Sequence, residues 1–159
     1  MTEKVIGVDP GTAVTGYGIL EHSNGGRSRL LECGVIRTNP KHPLWDRLRD
    51  LHDELSAIIR RHQPDTLAVE SLFYGKNVRT TVSLGHARGA ILVAAASAGL
   101  AVAEFPPATV KKTIVGNGSA AKPQIAFMIK HLLQLSAPPE PDDAADGVAI
   151  ALTYLMTRR

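Results

Sequence analysis

Three strand-like segments, separated by turns, come before any helical periodicity in this chain, and that order constrains its fold more than any other feature. Val5-Ile6-Gly7-Val8 is a short apolar run that stops at Asp9-Pro10-Gly11, where Pro presets φ and Gly accepts a turn conformation. Thr15 to Leu20 reads as a second strand, Asn24-Gly25-Gly26 as the next turn and Arg29 to Arg37 as a third strand. Such a succession predicts an antiparallel meander. Leu44, Leu48, Leu51, Leu55 and Ile58/Ile59 then recur at helical spacing, so residues 44–62 form an amphipathic helix that ends before Pro64.

Beyond that helix the pattern alternates. Thr66 to Glu70 is a fourth strand, residues 79–98 are helical and Leu100 to Phe105 is a fifth strand. Helical stretches at about 107–115, 122–134 and 142–157 follow, divided by Gly116-Asn117-Gly118 and Ser136-Ala137-Pro138-Pro139. Strands reached through helices pair in parallel within one sheet. The expectation is an α/β protein with a five-stranded mixed sheet flanked by helices, as one domain over residues 1–159.

A lone cysteine, Cys33, excludes an internal disulfide framework and a cysteine-based zinc site. The uncharged run between Arg88 and Glu104 has 15 residues, short of the roughly 18–20 that a membrane helix needs. Met1-Thr2-Glu3-Lys4 leads directly into a strand pattern without a signal-type apolar region. These features predict a cytoplasmic protein with no membrane partner.

The net charge of +3 hides a segregation: residues 71–139 carry seven basic side chains and one acid, Glu104. A basic middle flanked by near-neutral and acidic ends suits a phosphate backbone. Within it, Phe73, Tyr74, Lys76 and Arg79 follow Glu70 closely. An aromatic beside cations is an arrangement for stacking an unpaired base, at about 1–3 kcal/mol per base. Lys111 and Lys122 bracket the Gly-Asn-Gly turn and are candidates for phosphate contact, which supplies affinity but little sequence information.

The acids are placed differently. Asp9 and Glu70 each end an otherwise apolar strand, at the sheet edge where open α/β folds bind ligands. Asp142-Asp143-Ala144-Ala145-Asp146 opens the last helix, and either Asp143 with Asp146 or Asp142 with Asp146 shares a helix face. Clustered carboxylates repel and hold protons unless a cation compensates. An all-oxygen donor set suits Mg²⁺ or Mn²⁺. Two such ions roughly 4 Å apart activate water and neutralise a phosphodiester between them.

The motifs resemble those of the RuvC Holliday junction resolvases. The resemblance runs through Val5-Ile6-Gly7-Val8-Asp9-Pro10-Gly11 with Thr15-Gly16-Tyr17-Gly18, and Val69-Glu70-Ser71-Leu72-Phe73 with Lys76-Asn77. It continues through Gly85-His86-Ala87-Arg88-Gly89, Val110-Lys111, Val115-Gly116-Asn117-Gly118-Ser119-Ala120-Ala121-Lys122 and Asp143-Ala144-Ala145-Asp146 with Ala149. It spans nearly the whole chain.

This resemblance implies a ribonuclease H-like fold and a homodimeric, Mg²⁺-dependent endonuclease that cuts four-way DNA junctions in recombination and repair. It implies two ions per site, with Mn²⁺ as a substitute, and a branch-migration motor as a partner. The family's catalytic acids map onto Asp9, Glu70, Asp143 and Asp146, its base-probing aromatic onto Phe73 and its basic residues near the scissile strand onto Lys111 and Lys122. Gly147-Val148 stands where the family more often has Ala-Leu, and Gly inside a helix costs about 1 kcal/mol relative to Ala. The alternatives are a ribonuclease H-like nuclease acting on RNA or an RNA–DNA hybrid and, less favoured, an actin-like or sugar-kinase-type ATP-binding domain. The latter needs a second domain, for which 159 residues leave no room.

Overall fold

Residues 1–71 and 75–158 are described by the structure, a computed structural model. Its elements run β1 (Thr2–Asp9), β2 (Val14–Ser23), β3 (Ser28–Arg37), α1 (Leu44–His62), β4 (Thr66–Glu70), α2 (Val78–Ser97), β5 (Ala101–Phe105), α3 (Pro107–Val115), α4 (Lys122–Leu132) and α5 (Asp142–Thr157). The five strands form one mixed sheet in the order β3-β2-β1-β4-β5. The first three pair antiparallel, as the turn-separated runs predict. β4 joins β1, and β5 joins β4, in parallel.

Alternation along the strands sorts the core into two layers. Ile6, Val8, Ile19, Ile36, Leu67 and Val69 point to one face and pack against Leu51, Leu55, Ile58 and Ile59 of α1 and Ala87, Ile91, Ala94 and Ala95 of α2. Val5, Leu20 and Ala68 point to the other, beneath Val110 and Ile114 of α3, Ile125 and Ile129 of α4 and the apolar length of α5. On this second face Gly7, Gly16 and Gly18 stand where side chains would otherwise hold a helix away. A Cβ on any of them would meet α5: Gly147 and Ala151 from Gly7, the Asp143 carbonyl from Gly16 and Val148 from Gly18.

Gly147 completes this seat from the helix side, since a Cβ there would run into the backbone of Tyr17. The sequence-level cost of glycine in a helix is thus offset by close contact between α5 and β2. Gly147→Ala restores helix propensity, about 1 kcal/mol, but overpacks a backbone contact, which costs about 1–3 kcal/mol and occasionally more. The expected result is a net loss of stability with a lower melting temperature. A variant more stable than wild type would show that the helix lifts off the sheet without penalty.

On α2, Val82 and Val93 are about half exposed and Val78 more so. Gly85 and Gly89 lie between them with open space where a Cβ would be. At these spacings the residues form one stripe along the helix. The sheet covers α2 on one side only, and this small, apolar stripe is left facing outward.

Candidate active site

Asp9 is the last residue of β1 and Glu70 the last of β4. The parallel register sets Val8 against Val69, so the two acids leave adjacent strands at the same edge. On the other side Asp9 pairs with Gly16, the glycine against which the Asp143 carbonyl is seated. The missing side chain at Gly16 therefore brings the start of α5 to the end of β1. Carboxylate oxygens of Asp9, Asp143 and Asp146 all lie within 4.8 Å of one another. Of the two spacings open in the sequence, the one at 143 and 146 places both acids in this cluster, while Asp142 is exposed.

The electrostatics follow from crowding. Burial, then the charges of Glu70 and Asp146, push the Asp9 carboxyl up from 3.8 to about 8, and side-chain hydrogen bonding with Glu70 adds to the rise. Burial also raises Glu70, against the lowering influence of that hydrogen bond and of Lys111 and Lys122. Asp146 is raised by burial and drawn back by Lys122, whose Nζ lies 3.3 Å from Asp146 Oδ2. The Asp146 charge in turn raises Lys122. Among the described residues Lys122–Asp146 is the only ion pair in the cluster.

Two clefts meet at Asp9 and Glu70. One, of about 470 Å³, is bordered by Ser71, Lys76, Asn77, Thr80 and Arg88. The other, of about 430 Å³, is bordered by Lys111, Ala121, Lys122 and Asp146. Lys111 reaches it from α3, while Lys122 opens α4, where Gln124 Oε1 accepts from the Ala121 N–H at 2.9 Å and fixes the entry to that helix. Lys76 lies on the border of the first cleft, and Arg79 is exposed in the first turn of α2, whose N-cap Asn77 accepts from the Thr80 N–H at 3.2 Å. Phe73, with Tyr74, lies outside the described residues.

Arg88 is the site residue to which sequence reasoning gave no role. Its Nε donates to the Glu70 carbonyl at 3.4 Å and its guanidinium pairs with Glu104, tying α2 and β5 to the end of β4. Its place in the Gly85-His86-Ala87-Arg88-Gly89 motif was the available signal, but one helical arginine does not announce a carbonyl partner 18 residues away.

The sequence profile of the crossover junction endodeoxyribonuclease RuvC family matches residues 5–154. The chain belongs to the RuvC family. It is 49% identical to the crossover junction endodeoxyribonuclease RuvC of Pelotomaculum thermopropionicum over 150 residues, 94% of this chain and 91% of the relative. To the RuvC of Chloroflexus aggregans it is 46% identical, covering 97% and 93% of the two chains. The solved structure of T. thermophilus RuvC in complex with Holliday junction substrate superimposes with a TM-score of 0.90 at 35% identity, covering 97% of this chain and 93% of that one. The ribonuclease H-like fold implied by the resemblance is the fold of the RuvC family, and the chain is accordingly an endodeoxyribonuclease. Among the described residues no helix is long and apolar enough to cross a membrane.

Proposed function

We propose that this protein resolves four-way DNA junctions by divalent-metal-dependent hydrolysis, as a homodimer that places one nick in each of two opposed strands. The observation that carries this reading is the carboxylate cluster: oxygens of Asp9, Asp143 and Asp146 within 4.8 Å, with Glu70 alongside, at an edge bordered by lysines. The donor set is all oxygen and over-supplied with negative charge, which fits hard cations such as Mg²⁺, with Mn²⁺ as a substitute. Asp9, Glu70, Asp143 and Asp146 would hold them. When bound, such ions supply an activated water and neutralise charge on the phosphodiester.

The chain's own residues do the rest. Lys111 and Lys122 present cations to the scissile phosphate from the α3–α4 side, while Lys76 and Arg79 meet the backbone on the α2 side. Phe73 acts on bases near the junction centre. Phe73→Ala is then expected to slow cleavage while leaving stability within about 1 kcal/mol. Loss of roughly 3–5 kcal/mol, the range for truncating a buried ring, would place Phe73 in the core instead.

The stripe of Val78, Val82, Gly85, Gly89 and Val93 supports dimerisation through α2, since small residues let two such helices approach closely and the flanking valines become buried. A two-fold dimer presents two copies of the site to a substrate with its own approximate two-fold axis. Light scattering at micromolar concentration is expected to give the dimer mass, and a monomer both free and junction-bound would refute it. The function as a whole is tested by cleavage of a synthetic four-way junction against linear duplex and RNA–DNA hybrid, with Mg²⁺ and with chelator. Selective, chelator-sensitive cutting of the junction is expected. Preference for the hybrid would favour a ribonuclease H-type activity.

A further inference from the structure

The turn that follows Asp9 is held from outside itself. The Thr12 carbonyl accepts from Arg47 Nη2 at 3.0 Å and also from Thr38 Oγ1. Arg47 Nε in turn donates to that same Thr38 hydroxyl at 3.1 Å, so the guanidinium holds the Thr12 carbonyl both directly and through Thr38. The Thr38 N–H donates to the Ala13 carbonyl at 3.1 Å, and Thr12 Oγ1 is 3.0 Å from Ser83 Oγ on α2. Inside the turn, Thr15 Oγ1 donates to the Gly11 carbonyl at 2.7 Å. Arg47 forms no ion pair among the described residues, although α1 carries acids within reach of Arg49. Its cation is directed at a neutral carbonyl and a hydroxyl.

We propose that Arg47 is a positioning residue for the nuclease site, acting through Thr38 and the Thr12 carbonyl to hold Asp9 in the carboxylate cluster. The inference rests on the metal-site reading above. Asp9 is crowded by the carboxyls of Asp143 and Asp146, with oxygens within 4.8 Å, and by Glu70 on the adjacent strand. A strand end so crowded relaxes most easily by swinging the backbone that follows it, because β1 itself is locked between β2 and β4. Residues 10–13 are that backbone, and Arg47, Thr38 and Ser83 anchor it to α1, to the residue that follows β3 and to α2. A planar guanidinium with a fixed fork suits the task, since it engages two acceptors at a set angle. Lysine would reach one.

The test uses the full-length protein with Arg47→Met, Arg47→Lys and Thr38→Val, which removes the shared hydroxyl at nearly constant volume. Two measurements are made. The first is amide hydrogen exchange in the metal-free protein, comparing residues 10–14 with the core of α1. The second is junction cleavage as a function of Mg²⁺, with junction affinity measured separately in chelator. The expected result is exchange at residues 10–14 faster by at least about tenfold in Arg47→Met while the α1 core is unmoved. Cleavage at saturating Mg²⁺ falls about tenfold or more and the Mg²⁺ midpoint rises several-fold, with junction affinity unchanged. Arg47→Lys rescues little, and the double variant Arg47→Met/Thr38→Val is no worse than Arg47→Met, because both changes act on one carbonyl. Unchanged exchange at residues 10–14 overturns the proposal, as does faster exchange with unchanged cleavage and midpoint. So does loss confined to junction affinity, which would make Arg47 a DNA contact. If Arg47→Met does not fold, Thr38→Val is read by the same criteria. Wild-type protein that cuts no junction would refute the proposed function instead, and the exchange data would still decide whether Arg47 holds the turn.

Discussion

Asp143→Asn and Glu70→Gln are expected to reduce junction cleavage by a factor on the order of 10³ or more, while junction binding in chelator stays the same or tightens. The two effects separate because the carboxylates serve different terms. In the proposed reaction they would supply the oxygen donors that position hard cations at the phosphodiester, and amides supply one neutral oxygen in place of a charged pair. In binding, each removes one negative charge from a surface that meets phosphates, and binding to a polyanion rises with net positive charge. Single-turnover cleavage and an electrophoretic or fluorescence binding assay on the same preparations separate them. Asp142→Asn is the matched control, since Asp142 is exposed and stands outside the cluster of Asp9, Asp143 and Asp146. It is expected to cut at near the wild-type rate. Near wild-type cutting by a folded Asp143→Asn, or inactivity of Asp142→Asn, would overturn the assignment.

The second large effect is on stability. Asp9 is raised from 3.8 to about 8 in the folded chain, chiefly by burial and next by Glu70. Below about pH 4 the carboxyl is protonated in both states and contributes nothing to the difference. Between about pH 4 and 8 the folded state keeps a proton that the unfolded state has released, so stability falls as pH rises through that window and levels off above it. Glu70 and Asp146, also raised, act in the same direction. Each pKa unit corresponds to 1.36 kcal/mol, and structural relaxation absorbs part of it, leaving a loss of a few kcal/mol. For a chain of this size that is a fall in melting temperature of roughly 5–10 °C in chelator between pH 5 and pH 8. Asp9→Asn should flatten this dependence and exceed wild type in stability at pH 8. Mg²⁺ should raise the wild-type melting temperature more at pH 8 than at pH 5, because there it compensates charge without displacing a proton. Parallel melting curves for wild type and Asp9→Asn across that pH range would refute the crowded-carboxylate account.

Much of the frame is legible because it is written in periodicity. Alternation and turn residues mark β1 to β3, and the leucine spacing marks α1. β1 runs back to Thr2 rather than Val5 because hydrogen-bond pairing with β2 continues over Glu3 and Lys4, whose side chains give no apolar signal. The strand-end acids are visible because a charge closing an apolar run is conspicuous. Which acids of α5 face the cluster is not, since residues three and four apart share a helix face equally well. That choice is made by tertiary contact, where Gly16 admits the Asp143 carbonyl. Arg88 and Arg47 escape for the same reason. Their partners are backbone carbonyls far along the chain, and a carbonyl has no letter in the sequence.

The glycine seat beneath α5 gives the two ends of the site different tolerances to insertion and deletion. Asp143 and Asp146 ride on a helix keyed into the sheet by Gly7, Gly16 and Gly18, with Gly147 one residue from Asp146. A single residue added between Asp143 and Gly147 would rotate Asp143 by about 100° away from the cluster if the key stays seated. If the acids stayed in place instead, Gly147 would leave its slot and a side chain would enter it. Reading frame within this helix therefore sets the carboxylate cluster as well as the packing. Length changes in the preceding Ser136 to Pro139 connection, by contrast, fall outside the keyed segment and leave the phase between acids and glycine intact. Variation in chain length among relatives should accordingly gather before Asp142 and be absent between Asp143 and Gly147.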